Sequence, residues 1–314
     1  SRTDASAPQR IEFDPAEQGE LNDICTKVLM KVLYGARACR WDLLRATCGL
    51  ASNATRWTRT DDRKLHKLMC YIKSTLDYCM YAKVGDTIED IYLACFSDAD
   101  FAGCPYTLRS TSGVFLKVCG ANTHFPLSGL SQKQTAVSHS TVEAEIIAAA
   151  LAIRKEGIPS IVVFDAFLSK IRPNSPIVLE FLEDNQTSMR IFETGKNPTL
   201  RYMGRTHNVD MAWVFEAFQR QDVRLRYCKS HEQAADIFTK HFVLEDKWKL
   251  VCRLIGHMRK DDLFCPKGKR PNYEPDKTKA KSPAEYMPKY DATFHKGGKA
   301  NAGGLEEESP AHSQ

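Results

Sequence analysis

The run Ile91-Tyr92-Leu93-Ala94-Cys95-Phe96-Ser97-Asp98 decides the fold. Its apolar and aromatic residues suit a pleated, half-buried surface, and it ends on a carboxylate. Two more strand-like runs follow, Gly113 to Cys119 and Thr123 to Leu127, with Gly120-Ala121-Asn122 as a hairpin-type connection between them. The three runs together predict a β-meander.

Downstream the pattern alternates. A helix is predicted over Val142 to Glu156, a strand over Ile177 to Leu182, helices over Thr187 to Phe192 and Arg205 to Gln219, and a strand over Val223 to Tyr227. Helices over Gln233 to Thr239 and Leu244 to His257 complete the series. Three strands, helix, strand, helix, strand, helix is the order of an α/β domain: a mixed sheet with helices packed on both faces. Upstream, Ile11 to Gly85 is mainly helical. Leu21 to Tyr34 places Leu21, Ile24, Val28, Leu29, Val32 and Leu33 at helical spacing, and Arg63 to Met80 is a second amphipathic run. Gly85-Asp86-Thr87 makes a turn before the strands begin. The division expected is a small helical region over 1–88, the α/β domain over 89–262, and a tail over 263–314 rich in Lys, Pro, Gly and Ser, with too little apolar surface to offset the entropy of ordering it.

Composition excludes several classes. With 314 residues, 43% hydrophobic and 26% charged, the chain suits one or two globular domains. Its longest apolar runs, Ile146 to Ile153 and Ile158 to Phe164, fall far short of the roughly 20 residues that span a bilayer. Ser1 to Asp14 holds no apolar segment of the secretory kind. The eleven cysteines are scattered singly, without a CxxC pair or zinc-finger spacing, and read as reduced core residues of an intracellular protein. Formal net charge is +5. Pro266 to Ala300 carries nine basic against four acidic residues, so the basic excess sits on the tail.

Four acidic residues lie beside core-like sequence. Asp98 ends a strand run, Glu145 is embedded in Ala144-Glu145-Ile146-Ile147, Asp184 follows Ile177 to Glu183, and Asp236 follows Ala234-Ala235. Carboxylates near a core need pairing, hydrogen bonds or a metal, and four from separate elements suggest a shared cation. Oxygen-only ligation favours Mg²⁺ or Mn²⁺ over zinc. Two such ions about 3.5–4 Å apart suit phosphodiester hydrolysis. Each residue also has a structural alternative. Asp98 suits a turn or cap, Asp184-Asn185 an Asx turn or helix cap, and Asp236 a pair with Lys240. Periodicity does not choose between Glu143 and Glu145.

Six motifs in order extend the pattern. They are Ser97-Asp98-Ala99-Asp100-Phe101-Ala102-Gly103-Cys104; Arg109-Ser110-Thr111-Ser112-Gly113; Ser131-Gln132-Lys133-Gln134-Thr135 leading to Ser140-Thr141-Val142-Glu143-Ala144-Glu145; Glu183-Asp184-Asn185-Gln186-Thr187-Ser188; Gly204-Arg205-Thr206-His207-Asn208-Val209-Asp210; and Gln233-Ala234-Ala235-Asp236-Ile237-Phe238-Thr239-Lys240. From about Tyr92 to Phe242 the chain resembles the ribonuclease H domain of copia-type retrotransposon Pol polyproteins. The resemblance implies a five-stranded mixed sheet, three antiparallel strands plus two parallel ones, and an endonuclease that hydrolyses the RNA strand of RNA/DNA hybrids during reverse transcription with two Mg²⁺ (or Mn²⁺) ions. It implies Asp98, Glu145, Asp184 and Asp236 as the catalytic metal ligands, choosing Asp98 over Asp100 and Glu145 over Glu143.

Among the motif residues, Arg109, Lys133, Gln134, Asn185, Arg205 and His207 are the implied nucleic-acid contacts. Lys133 also reads as a solvated charge and Arg205 as a residue that orders its loop. His231 is an auxiliary candidate for proton relay. The sequence departs from the family in three places. Arg205-Thr206-His207-Asn208-Val209-Asp210 replaces Arg-Thr-Lys-His-Ile-Asp and loses a fixed positive charge, Ile146 replaces an aromatic, and Phe101 replaces Trp.

Val28 to Arg40 and Leu65 to Leu76 resemble the end of the family's reverse transcriptase. No Tyr-x-Asp-Asp motif occurs, so polymerase activity is not expected. Implied partners are the hybrid and the rest of a polyprotein, with a cytoplasmic, virus-like-particle setting and access to the nucleus. The alternatives are a catalytically inactive, nucleic-acid-binding remnant of a retroelement and, less well matched, an integrase or transposase relative.

Overall fold

Three helices come first along the chain: α1 (Asn22–Ala38), α2 (Leu44–Ala51) and α3 (Arg59–Ser74). The computed structural model describes Asp14 and residues 17–173, 175–196 and 202–263, all in the compact unit Ser1–Phe264. After α3 come β1 (Tyr78–Met80), β2 (Tyr92–Asp100), β3 (Thr111–Cys119) and β4 (His124–Lys133). Then follow α4 (Thr141–Ala152), α5 (Ile158–Leu168), β5 (Leu179–Glu183) and α6 (Gln186–Thr194). The series closes with α7 (Met203–Thr206), α8 (Met211–Phe218), β6 (Val223–Tyr227), a 3-10 turn over Ala234–Phe238, α9 (Glu245–Leu254), β7 (His257–Arg259) and α10 (Lys260–Leu263). The predicted disordered tail, 263–314, lies outside the described residues except for Leu263.

The main sheet has five strands in the order β4-β3-β2-β5-β6. β2, β3 and β4 are antiparallel, and β5 and β6 join parallel. This is the mixed sheet that the order of elements predicts. Strand side chains alternate between faces. Leu93, Cys95, Val114, Leu116 and Phe181 pack with α4, α5, α6 and α8 on one face. Ala94, Phe96 and Phe115 pack on the other with α1, α2, α3 and α9, so the first helices share a core with the sheet. A β-bulge at Leu116/Lys117 lies in the β3-β4 ladder.

Local chemistry explains most helix starts. Thr58 and Asp61 form a reciprocal capping box at α3. Ser140 caps α4, Asn185 caps α6 and Asp210 caps α8, each by a side-chain oxygen that accepts from a first-turn N–H.

Four elements differ from expectation. The run Arg63 to Met80 is not one helix: α3 ends at Ser74, and Tyr78–Met80 pairs antiparallel with β7, a partner about 180 residues away. Arg205 to Gln219 divides into α7 and α8, because Asn208 takes a left-handed φ of 54° and Asp210 caps a new start. The helix from Val142 does not stop at Glu156 but passes through a π-helical turn, Ile153–Gly157, into α5. There the bare Cα of Gly157 meets β5: an added Cβ would come within 2.9 Å of Leu179 Cδ2. Gln233 to Thr239 is a 3-10 turn rather than an α-helix.

His124, where β4 begins, gives the fold a pH dependence. Its backbone exchanges two hydrogen bonds with Lys83, its Nε2 is buried without a partner, and burial, with the charge of Lys117, lowers its pKa from the ordinary 6.5 to about 4. The folded ring stays neutral while the unfolded chain takes up a proton. This contribution to stability is therefore complete above about pH 6.5 and lost as pH falls towards about 4. Urea midpoints of wild type should fall more across that window than those of His124→Gln; parallel curves would remove His124 from the account.

Candidate metal-binding active site

Asp98, Glu145, Asp184 and Asp236 come from four different elements. Asp98 is near the end of central strand β2, Glu145 is in the second turn of α4, Asp184 follows the last residue of β5, and Asp236 is in the 3-10 turn. Asp98, Asp184 and Asp236 each offer an oxygen within 4.8 Å of the others. Glu145 stands beside this group, close enough that the charges of Asp98 and Asp184 act on it.

Gly113 explains how the 3-10 turn reaches Asp98. It pairs directly with Asp98 across the β2-β3 ladder. A Cβ there would lie 2.8 Å from Thr239 Cγ2 and 2.9 Å from both Ala235 O and Phe238 Cβ. Only a glycine lets the segment that carries Asp236 settle over the strand. Thr239 Oγ1 then donates a hydrogen bond to Asp98 Oδ2, and Gln233 Nε2 donates to Ser97 O at 3.0 Å.

The cluster is over-supplied with negative charge. Burial, then the charge of Asp98, pushes the Glu145 carboxyl up to about 10. Burial and Asp98 also raise Asp236 to about 7, against the opposing Lys240, and they raise Asp184. Behind the site the buried Glu183, held by Ser97 Oγ at 3.0 Å, is likewise raised by burial. Glu145 Oε2 is buried and has no hydrogen-bond partner. Converging carboxylates with an orphaned buried oxygen are the donor set of a hard divalent cation, so these residues fit Mg²⁺ or Mn²⁺.

The neighbouring acids have other tasks. Asp100 pairs with Arg45 at 2.9 Å and accepts from the Thr111 N–H. Glu143 is fully buried and accepts from Tyr202 Oη at 2.8 Å, His139 N at 2.8 Å and His207 Nε2 at 2.7 Å. Helix geometry turns Glu143 and Glu145 to different sides, as their spacing requires, and the fold places Glu145 beside the carboxylate cluster and Glu143 among its three donors. Two structural alternatives also hold: Asn185 is the α6 cap, and Lys240 Nζ meets Asp236 Oδ1 at 2.6 Å.

The expected nucleic-acid contacts divide. Arg109 and Arg205 are exposed, and so is His231, 3.6 Å from Glu232. Lys133 is half-buried, its ammonium on Ser52 Oγ at 3.1 Å and Cys104 Sγ at 2.9 Å. His207 and Gln134 are corrected. The His207 ring is drawn inward by Glu143, and the Gln134 amide bridges Ser112 Oγ and Ala144 O inside the fold, so neither faces a strand at the surface. The Asn185 side-chain oxygen is engaged in capping α6. Sequence reasoning assigned no site role to Thr239, Gln233 or Lys240. Their motif, Gln233 to Lys240, was the available signal.

No family model matches the chain. Over 88 residues it is 35% identical to the retrovirus-related Pol polyprotein from transposon RE2 of Arabidopsis thaliana, a match covering 27% of this chain and 6% of that protein. It is 33% identical over 94 residues to an uncharacterized mitochondrial protein of Arabidopsis thaliana, covering 30% of this chain and 36% of the relative. Both shares are well under two thirds of those proteins' lengths. Among solved structures, the chain is similar to the LC11 ribonuclease H1 isolated from compost, at 15% identity and a TM-score of 0.30, covering 47% of this chain and 92% of that one. It is also similar to the foamy viral protease-reverse transcriptase in complex with RNA/DNA hybrid, at 11% identity and a TM-score of 0.35, covering 67% and 27%. The transposon Pol similarity agrees with the resemblance carried by the motifs. The strand order itself, three antiparallel strands followed by two parallel ones, is the one that the motif resemblance implies. Among the described residues no helix is long and apolar enough to cross a membrane.

Proposed function

We propose that this chain is the ribonuclease H part of a copia-type retrotransposon Pol polyprotein, a metal-dependent endonuclease that hydrolyses the RNA strand of RNA/DNA hybrids. The observation that carries this reading is the convergence of Asp98, Asp184 and Asp236 within 4.8 Å, with the unpartnered Glu145 Oε2 beside them. Asp98, Glu145, Asp184 and Asp236 are the residues that would hold two Mg²⁺ or Mn²⁺ ions. When bound, such ions supply Lewis acidity to a phosphate and to a water molecule.

The chain's own residues prepare the site. Thr239 fixes the rotamer of Asp98, Gly113 admits the turn that carries Asp236, and Ser97 and Gln233 tie the strand end to its surroundings. A rigid constellation of this kind costs little reorganisation when a phosphate arrives. The exposed Arg109 and Arg205 suit phosphate contacts, which position a nucleic acid without reading its sequence. In the same reading, residues 1–88 are the end of a reverse transcriptase, 89–262 the nuclease domain and 263–314 a basic tail.

A labelled RNA/DNA hybrid incubated with the purified chain in Mg²⁺, Mn²⁺ or EDTA tests the reading, with Asp184→Asn and duplex DNA as controls. Metal-dependent cutting of RNA only within the hybrid, absent in the variant, is the expected result. Binding of the hybrid without cutting under any metal condition would replace the enzyme with an inactive remnant.

A further inference from the structure

One cation already reaches into the carboxylate cluster. Lys240 Nζ lies 2.6 Å from Asp236 Oδ1 and 3.4 Å from Asp98 Oδ1, so a single ammonium touches two of the three converging carboxylates. An ordinary surface pair one helical turn apart does not explain this. The 3-10 turn ends at Phe238, before Lys240, and Asp98 belongs to a strand more than 140 residues away. The Asp98 and Asp236 side chains are 2% and 10% exposed, whereas that of Lys240 is 40% exposed. The head of the lysine is in the site although its side chain as a whole is 40% exposed.

The lysine answers only part of the charge. Glu145 Oε2 remains without a partner, and Asp184 has no hydrogen bond or ion pair to the ammonium. A point charge on a flexible four-carbon stem is also the kind of counterion that can withdraw. Thr239, in contrast, is a fixed neutral donor to Asp98 that a cation need not displace.

We propose that Lys240 is a built-in competitor for the divalent ion: its ammonium holds Asp98 and Asp236 together in the metal-free protein and leaves towards solvent when the metal binds. This rests on the metal-site reading above. It offsets part of the site's charge before loading, sets a threshold on metal affinity, and frees a cation at the edge of the site once the metal is in place.

Three measurements on the full chain without nucleic acid test it. In a titration that follows the electron paramagnetic resonance signal of free Mn²⁺, Lys240→Gln should bind Mn²⁺ about tenfold more tightly than wild type. In EDTA the same variant should melt lower than wild type, with the gap closing at saturating Mn²⁺. Wild type alone supplies the third measurement. Acetylation of Lys240 by an N-hydroxysuccinimide ester, read by mass spectrometry, should rise several-fold when Mn²⁺ is added. Tight wild-type binding with no gain in Lys240→Gln, or unchanged acetylation, overturns the role of Lys240 and leaves the metal site standing. Absence of Mn²⁺ binding by either chain overturns both.

Discussion

Asp98→Asn is expected to lower hybrid cleavage by about three orders of magnitude while raising the melting temperature of the metal-free protein. Asp98 is the centre of the cluster: its charge helps raise the pKa of Glu145, Asp184 and Asp236 alike. Loss of one anionic ligand from a cation site costs several kcal/mol of charge stabilisation, and about 4 kcal/mol corresponds to roughly a thousandfold in rate. The amide oxygen of Asn still accepts from Thr239 Oγ1, and Lys240 keeps Asp236, so the local fold survives. Without metal, removal of one like charge relieves repulsion among the remaining carboxylates, which is the usual trade between activity and stability at such sites. Single-turnover cleavage and melting in EDTA check the two halves separately. Cleavage near the wild-type rate would dismiss the site, and a lower melting temperature would mean that the Asp98-Lys240 attraction outweighs the repulsion.

The second large effect comes from a residue without a side chain. Gly113→Val is expected to cost about 1–3 kcal/mol by overpacking and to weaken both Mn²⁺ binding and cleavage by more than about a hundredfold, because the obstruction falls on the metal-bearing turn. The first atom of the new side chain would sit 2.8–2.9 Å from Thr239 Cγ2, Ala235 O and Phe238 Cβ. Two of those neighbours are backbone or near-backbone atoms that cannot rotate away, so the turn must lift. Lifting it carries Asp236 and the Thr239 hydroxyl away from Asp98. At roughly 2–4 °C per kcal/mol for a domain of this size, the melting temperature falls modestly, while function falls steeply. A variant that melts lower but binds Mn²⁺ like wild type would show that the 3-10 turn adapts without moving Asp236.

These two residues also mark how far the sequence can be read. The strand-end position of Asp98 follows from the apolar run before it, and the alternation of strand and helix after it dictates a mixed sheet. The carboxylates are legible as awkward charges beside core sequence, but Glu143 and Glu145 are equivalent at that level. The fold separates them by giving Glu143 three donors, from His139, Tyr202 and His207, and leaving Glu145 Oε2 with none. His207 misled for the same reason. A basic residue in a polar loop reads as a surface contact until its buried carboxylate partner, 64 positions earlier, is known.

The sequence by itself determined what depends on neighbours along the chain: strand runs, most helices, the cap at Asn185, and the acidic residues at element ends. The tertiary structure alone decided what depends on distant partners. It paired β1 with β7, broke the helix at Asn208, set Gly113 beneath the turn of Asp236, and brought the ammonium of Lys240 between Asp98 and Asp236. Local propensity is a property of a few consecutive residues, whereas a charge cluster exists only after folding has brought its members together and excluded the water that would otherwise screen them.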